Sequence, residues 1–144
     1  MPYENEFNLE VGLNAARMLV VHFEDTAKAI DSGNSEVVST PTVIALMEQS
    51  AVDAVKEYLP EGFNSVGTMV NINHIAATPV GMTVTAYAEL VGVDGRKLIF
   101  KIMARNEREL VSEGFHERFI VDSKRFIDKA YRKEKEIEET SKED

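Results

Sequence analysis

The hydrophobic positions between residues 41 and 59 repeat with the period of a helix. Plotted at 100° per residue, seven apolar side chains share one arc: Ile44, Met47, Ala51, Val52, Val55, Tyr58 and Leu59. Thr40 followed by Pro41 has the pattern of an N-cap with proline at the first helical position, and a Pro-Glu-Gly segment at 60–62 would end the helix. The sequence therefore predicts one long central helix.

Alternating apolar and polar positions predict strands on both sides of this helix. Segment 6–22 is interpreted as an opening strand or strand pair, and strands are predicted at 65–77, 82–93, 96–104 and 110–121. Asp94 and Gly95 predict a tight hairpin between the third and fourth of these five segments. A C-terminal helix is predicted from Asp122. The pattern indicates an α+β fold in which four strands after the helix form an antiparallel meander.

The length and the distribution of charge favour a single domain. The chain has 144 residues, 44% of them hydrophobic, which is enough for a packed core without cross-links. We expect one domain over residues 1–131 and a charged, frayed tail over residues 132–144. Residues 134–144 hold six acidic side chains and two lysines, so part of the net charge of -9 belongs to that tail.

Composition limits the chemistry and the partners. The absence of cysteine rules out disulfides, a thiolate nucleophile and thiolate metal ligands. An acidic chain disfavours nucleic acid as a partner, and a phosphate-bearing ligand would have to be held by a few local cations. No apolar run approaches the length of a membrane span, and the first ten residues lack the features of a signal peptide, so we expect a cytoplasmic protein with no membrane partner.

Glu48 is the first candidate for chemistry because its position falls inside the apolar arc of the central helix. A carboxylate buried without a partner is costly, so such a side chain usually has a chemical role or a tight hydrogen-bonding partner. We therefore expect Glu48 to point into the core.

His74 and Thr40 are the second and third candidates. Because side chains alternate between the two faces of a strand, His74 should share one face with Val66, Thr68, Val70 and Ile72. We expect that face to meet the central helix. An inward histidine is most often a structural core residue, but an imidazole that meets Glu48 could relay a proton or polarise water. The Thr40 hydroxyl would cap the helix and could also bind an oxyanion there.

Three further features carry weaker signals. Gly67 lies inside a strand, where glycine often marks a bulge or the close approach of a ligand. His116, Glu117 and Arg118 form an ionisable cluster, interpreted either as a surface salt-bridge ladder or as a site in which Arg118 binds a phosphate or carbonyl. His22 is taken as structural. The three histidines share no local spacing, so a metal site is not expected.

Three linked segments resemble the fluoroacetyl-CoA thioesterase-like branch of the hotdog-fold acyl-CoA thioesterases. They are STPTVIALMEQSAVDAV, SVGTMVNINHIAATPVGMTVTAYAEL and VDGRKLIFKIMARNERELVSEGFHERFIVD, within residues 23–130. A threonine lies eight residues before the helix glutamate, a histidine lies 26 residues after it, and a G-x-H-E-R motif follows. The resemblance implies a hotdog fold, in which a curved antiparallel sheet of about five strands wraps a long helix, and a homodimer with active sites at the subunit interface.

The resemblance also implies which residues act. Thr40, Glu48 and His74 match the catalytic set of the family, while Gly67 and Arg118 match residues near the thioester or the CoA moiety. The implied enzyme is an acyl-CoA thioesterase that needs no cofactor, since coenzyme A enters as part of the substrate. Glu48 would be the nucleophile or the general base, His74 the proton relay, and Thr40 and Gly67 would lie near the oxyanion.

The substrate and the reaction leave alternatives open. Residues 31–39 lack the aromatic lid associated with fluoroacetyl selectivity in the family's namesake, so a short or medium acyl-CoA is expected instead, its size set by this loop and by side chains such as Met47 and Met69. A hotdog hydratase or dehydratase acting on 3-hydroxyacyl or enoyl thioesters is one alternative. A non-catalytic acyl-CoA-binding module is the other.

Overall fold

A computed structural model describes residues 6–143, with side chains described through residue 140; the expectations for residues 1–5 and 144 lie outside this range. The elements are β1 Asn14–Val20, α1 Thr40–Val55, β2 Phe63–His74, β3 Thr83–Asp94, β4 Lys97–Arg105, β5 Leu110–Asp122 and α2 Ser123–Glu143. A 3-10 turn at Lys56–Tyr58 extends α1, and another occupies Phe23–Asp25. The predicted α+β class, the long helix, the five strands and the C-terminal helix are confirmed.

The five strands form one curved antiparallel sheet in the order β1-β3-β4-β5-β2. The prediction of a four-strand meander is wrong, because only β3, β4 and β5 follow one another as neighbours. Strand β1 pairs with the side of β3 that β2 would occupy in a meander. Strand β2 instead pairs with β5 at the opposite edge of the sheet, and the chain crosses the sheet between β2 and β3. The β3–β4 hairpin is confirmed, with its turn one residue later than predicted, at Gly95 and Arg96.

Helix α1 packs on β1 and β3 through a stripe that differs from the predicted arc. The buried side chains of the helix are Val43, Leu46, Met47, Ser50, Ala51, Ala54 and Val55. They meet sheet residues such as Leu90, Leu98 and Phe100, which are fully buried. Tyr58, by contrast, is 56% exposed. The buried stripe is therefore rotated away from Glu48, which leaves that residue at the edge of the stripe.

Ser39, rather than Thr40, caps helix α1. The Ser39 hydroxyl accepts a hydrogen bond from the Thr42 backbone N–H at 3.1 Å, and Ser39 has extended backbone angles. Thr40 is the first residue of the helix, and Pro41 follows it within the first turn, where a missing N–H removes no helical bond. The predicted capping role of Thr40 is wrong by one residue, and its hydroxyl is therefore free for another partner.

Strand β2 contains a bulge that changes which residues face α1. Gly67 pairs with Arg118 and Met69 with Glu117, so Thr68 is an extra residue that is opposite no residue of β5, although its hydroxyl donates to the Glu117 carbonyl at 3.2 Å. The extra residue places Val66 and Ile72 on opposite faces, whereas simple alternation predicts the same face for both. Beyond the bulge the strands are very close, since a Cβ at Gly114 would overlap the backbone carbonyl of Asn71.

Helix α2 continues through Glu143, past the point where the charged tail was expected to begin. Whether residues 132–144 fray in solution, and whether residues 1–131 form the domain, stay predictions. Helix α2 packs on β5, and its apolar side chains Phe126, Ile127 and Tyr131 remain between 43% and 64% exposed. Among residues 6–143, no helix is long and apolar enough to cross a membrane.

The cap assignment can be tested by comparing two substitutions. Ser39→Ala is expected to lower the free energy of unfolding by about 1 kcal/mol, because it removes the acceptor for the Thr42 N–H. Thr40→Val is the control, since it leaves that acceptor in place and is expected to have the smaller effect. Urea denaturation at one protein concentration measures both. A larger loss for Thr40→Val would contradict the assignment.

Candidate active site

The centre of the candidate site is the guanidinium of Arg118, which lies between β2 and β5 and is only 6% exposed. Its Nε donates to the Ser65 hydroxyl at 2.8 Å, and its Nη2 donates to the Ser65 backbone carbonyl at 2.9 Å. Nη1 donates to Glu48 Oε2 at 3.3 Å and to His116 Nε2 at 3.1 Å. Four hydrogen bonds within the protein thus hold this cation, which leaves little of it for a ligand.

His116 supports Arg118 from the adjacent inward position on β5 and is fully buried. Since Nε2 accepts from Arg118, the proton belongs on Nδ1, which donates to the Met69 carbonyl at 2.7 Å beside the β2 bulge. Burial lowers the pKa of His116, and the Arg118 charge lowers it further, while the Met69 carbonyl and Glu48 act in the opposite direction. His116 is therefore a neutral ring with a fixed tautomer.

Glu48 occupies the edge of helix α1 rather than its core. Its side chain is 38% exposed and pairs with Arg118. The expectation that this carboxylate points into the core is therefore wrong, because the buried stripe of α1 is rotated away from it. The arrangement fixes one carboxylate oxygen with a buried cation while the side chain stays accessible to solvent or substrate.

Gly67 leaves the space that the Glu48 carboxylate occupies. A Cβ at this position would lie 2.7 Å from Glu48 Oε2 and 3.3 Å from Arg118 Nη1. Gly67 therefore faces α1, and the lack of a side chain is what allows the ion pair to form against β2. The sequence-based interpretation of Gly67 as a position of bulge and close approach is consistent with this geometry.

Thr40 and His74 form a second polar cluster at the start of α1 and the end of β2. The Thr40 Oγ1 and His74 Nδ1 atoms are 2.7 Å apart, a hydrogen bond whose direction depends on the tautomer. Burial lowers the pKa of His74, while the nearby Ala76 backbone raises it. Among the described residues no hydrogen bond satisfies His74 Nε2, although that atom is buried. The cluster therefore contains a partly buried imidazole that is bonded to Thr40 through Nδ1 and whose Nε2 has at most a weak contact with the Ala76 backbone.

The two clusters do not meet within one chain. Thr40 and Glu48 are eight residues apart on α1, which corresponds to about 12 Å along a helix. No hydrogen bond or ion pair in the described part of the chain joins Glu48 to His74. The expected convergence of these two side chains is therefore not formed in the single subunit, although each has a well-defined partner of its own.

Sequence reasoning missed one member of the Arg118 cluster, Ser65, and grouped two others with a residue that does not belong to the cluster. Ser65 gives no recognisable signal, because a serine near the start of a strand is common and its role depends on Arg118 across the sheet. His116 and Arg118 were grouped with Glu117, but Glu117 lies on the opposite face and pairs with Lys97 at 2.8 Å. Because side chains along a strand alternate between its two faces, the sequence itself could have placed His116 and Arg118 on one face and Glu117 on the other.

Comparisons with known proteins place this architecture among the hotdog thioesterases. A point mutant of the fluoroacetyl-CoA-specific thioesterase FlK, solved in complex with fluoroacetate and CoA, superimposes with a TM-score of 0.78 at 33% identity, covering 82% of this chain and 99% of that one. A thioesterase superfamily member from Thermus thermophilus superimposes with a TM-score of 0.82 at 26% identity, covering 91% and 96%. A hot-dog-like protein from Thermanaerovibrio acidaminovorans superimposes with a TM-score of 0.81 at 26% identity, covering 90% of this chain and 97% of that one, so the fold is a hotdog fold.

The sequence comparisons then define the family. The family model described as fluoroacetyl-CoA-specific thioesterase matches residues 21–124. Fluoroacetyl-CoA thioesterase from Streptantibioticus cattleyicolor is 39% identical over 98 residues, which are 68% of this chain and 70% of that protein. The chain belongs to the fluoroacetyl-CoA-specific thioesterase family. It is a thioester hydrolase of the acyl-CoA thioesterase class.

The contact at Gly67 predicts a loss of activity on adding one methyl group. Gly67→Ala is expected to lower the turnover number about 100-fold, because the new Cβ displaces the Glu48 carboxylate by the order of an ångström. Thiol release from an acyl-CoA measures the loss. Gly92→Ala is the control, since a Cβ there meets only the flexible Ile99 side chain. Equal turnover in both variants would contradict the assigned role of Gly67.

The depressed pKa of His116 predicts a stability that declines in acid. Below the ordinary value of 6.5 the unfolded state binds a proton that the folded His116 does not, so the free energy of unfolding falls as the pH falls. His116→Gln keeps a donor and an acceptor but does not titrate, and is expected to flatten this decline. Urea denaturation between about pH 8 and pH 5 compares the two proteins. Parallel curves would contradict the prediction.

Proposed function

We propose that this thioesterase hydrolyses short or medium acyl-CoA thioesters with Glu48 as its nucleophile or general base. The observation that carries the proposal is the Glu48 carboxylate itself, which is partly exposed, held by a buried arginine and bordered by a residue without a side chain. A carboxylate that is fixed yet accessible can attack a carbonyl carbon or remove a proton from water.

The Thr40–His74 cluster supplies the complementary groups. In the proposed reaction the thioester carbonyl lies near the first turn of α1, where the Thr40 hydroxyl stabilises the developing oxyanion. Water, activated by Glu48 or added after acyl transfer to Glu48, supplies the oxygen of the acid product. The carbon–sulfur bond breaks, CoA leaves as a thiolate, and a neutral His74 moves the proton.

We further propose a homodimer in which the two clusters come together across the interface. Strand β2 is at an edge of the sheet, with unpaired backbone groups and with Met69 and Val70 each 36% exposed. Antiparallel pairing of two β2 strands centred on Asn71 would place Ile72 opposite Val70 of the partner subunit. Because Thr68 is an extra residue, the same pairing would place His74 opposite Gly67 of the partner subunit.

This pairing would create two equivalent sites. Each would combine Thr40 and His74 from one subunit with Glu48, Gly67 and Arg118 from the other. Residues that are directly opposite each other in an antiparallel pair must lie on the same face of the sheet. The pairing proposed here meets this requirement. The proposed mechanism needs Thr40 and Glu48 near the same thioester carbonyl. These two side chains are far apart within one chain, but in the proposed dimer Thr40 of one subunit would lie near Glu48 of the other.

The acyl group is proposed to be small and uncharged. A cavity of about 210 Å³ beside His74 is lined by Val37, Ile75, Ala76 and Ala77, and it is smaller than most ligand pockets. Residues 31–39 contribute no aromatic side chain. The apolar lining supports a short or medium aliphatic acyl group, and the lack of an aromatic side chain in this loop disfavours the fluoroacetyl-CoA named for the relatives. A cytoplasmic location without nucleic-acid or membrane partners remains part of this proposal.

The shared site predicts that two inactive variants restore activity when mixed. Glu48→Gln is expected to abolish hydrolysis, and His74→Ala to reduce it less severely. When the two variants are unfolded together and refolded in equal amounts, half of the dimers are mixed, and each mixed dimer has one intact site. About a quarter of the wild-type number of sites should therefore return, as counted by thiol release over a panel of acyl-CoA substrates.

Two controls make the mixing experiment decisive. Glu48→Gln mixed with Gly67→Ala places both lesions in the same half-site, so this mixture should restore nothing above its components. Size-exclusion chromatography of each refolded sample checks that dimers form. A Glu48→Gln protein with wild-type turnover would contradict the role of Glu48, whereas failure of complementation in refolded dimers would contradict only the shared site.

A further inference from the structure

Helix α2 carries an apolar stripe that its own domain leaves uncovered. Plotted at 100° per residue, five apolar residues share an arc of about 140°: Phe126, Ile127, Ala130, Tyr131 and Ile137. The four large side chains among them are between 43% and 68% exposed. A stripe of this kind usually packs on a partner, because leaving it in water forgoes the free energy of burial.

The side of α2 that faces its own domain is a different one. The helix residues that line the cleft against β5 are Arg125, Asp128, Lys129 and Arg132, together with Phe126 from the border of the stripe. At 3.6 residues per turn the four polar residues lie on the side of the helix away from the stripe. The stripe therefore points away from β5, and the catalytic proposal uses none of its residues.

Charge along α2 is divided between its two halves. Residues 124–131 hold three basic and one acidic side chain, a net charge of +2, whereas residues 133–140 hold two basic and four acidic side chains, a net charge of -2. No ion pair in the described part of the chain involves any of these side chains. Such a helix is complementary in charge to a second copy that runs in the opposite direction.

An antiparallel pair of α2 helices centred on residue 132 would cover the stripe. Ile127 would pack against Ile137 of the second copy, and the small side chain of Ala130 would let the helices approach closely near the centre. Glu134 also falls within the apolar arc and would lie opposite Ala130 of the second copy. A polar residue in such a seam helps to specify the register at some cost in stability.

The flanks of this seam would pair unlike charges. Lys124 would lie beside Glu138 of the second copy and Lys129 beside its Glu136, and two-fold symmetry would repeat both pairs. A parallel pair would instead place basic residues against basic residues and acidic residues against acidic ones. The distribution of charge therefore favours the antiparallel direction.

The same distribution argues against a membrane surface as the partner. Amphipathic helices that bind anionic lipids carry cations along their polar face. Four acidic side chains within residues 133–140 would be repelled by such a surface.

We propose that α2 is a docking surface for a second copy of this chain, which binds through an antiparallel α2–α2 contact. The matched family model ends at residue 124, so this contact uses a part of the chain that the family comparison does not describe. The proposal does not depend on the catalytic mechanism or on the pairing of β2 strands.

The α2 contact would join different β2-paired dimers. Because Phe63 pairs with Asp122, α2 begins beside the start of β2. Pairing of two β2 strands centred on Asn71 would set the starts of the two α2 helices about 50 Å apart along the strands. A helix pair centred on residue 132 holds its two starts within about 30 Å. The two contacts therefore cannot form between the same two copies.

Sedimentation equilibrium of the full chain over a range of concentrations tests the contact. We expect the mean mass to rise above that of a dimer, and I127E/I137E to abolish the rise. If β2 pairing fails, the α2 contact is expected as a monomer–dimer equilibrium that the same variant abolishes, an outcome that counts only against the β2 dimer. No difference between the wild type and I127E/I137E at any concentration overturns the proposal.

Charge reversal tests the complementarity. K124E/K129E makes the two halves alike and is expected to weaken association about tenfold, since attractive pairs become repulsive. K124E/K129E/E136K/E138K reverses both halves and should restore wild-type association, although it differs from the wild type at more positions. Circular dichroism checks that α2 stays helical in each variant. Association that stays weak in the fourfold variant contradicts the antiparallel contact.

Cross-linking tests the direction, because the chain has no cysteine of its own. When I127C and I137C are mixed under an added oxidant, we expect a disulfide-linked pair, whereas either variant alone should stay largely unlinked. A parallel contact would link each variant to itself, and that result overturns the proposal. Co-sedimentation of the wild type with phosphatidylserine vesicles, in place of self-association, overturns it in favour of a membrane surface.

Discussion

The buried guanidinium of Arg118 is the interaction on which the site depends. A charge taken out of water is stable only when hydrogen bonds and an opposite charge compensate it. Ser65, His116 and Glu48 meet that requirement here. Several features follow from it, including a glycine at position 67, a neutral ring at position 116 and a carboxylate fixed at the edge of α1.

Most of the fold could be predicted from local patterns. The apolar period of residues 41–59 identified the long helix, and alternation identified the strands, because both signals reflect burial of one face. The order of strands was predicted less well. Whether β2 lies beside β3 or β5 depends on where β1 pairs, and that pairing joins Asn14 to Glu89, far apart in the sequence. No local pattern contains such information.

The individual site residues could be predicted more readily than their grouping. Glu48 and His74 were selected because each is unusual among its apolar neighbours, and the structure gives each of them a specific partner. The expected contact between them is not formed within one chain, because the distance along α1 separates Glu48 from the Thr40–His74 cluster, and it stays a prediction for the dimer. Ser65 could not be found at all, since its only distinguishing feature is the arginine across the sheet.

The bulge in β2 has a consequence for comparing this chain with others. Gly67 and Met69 pair with consecutive residues of β5, so a chain lacking Thr68 would have an unbroken ladder with the same neighbours. The interval from the glycine to the histidine could then be one residue shorter while both side chains kept their places. A one-residue gap in an alignment at this point would therefore signal a difference in strand curvature, and not the loss of the site.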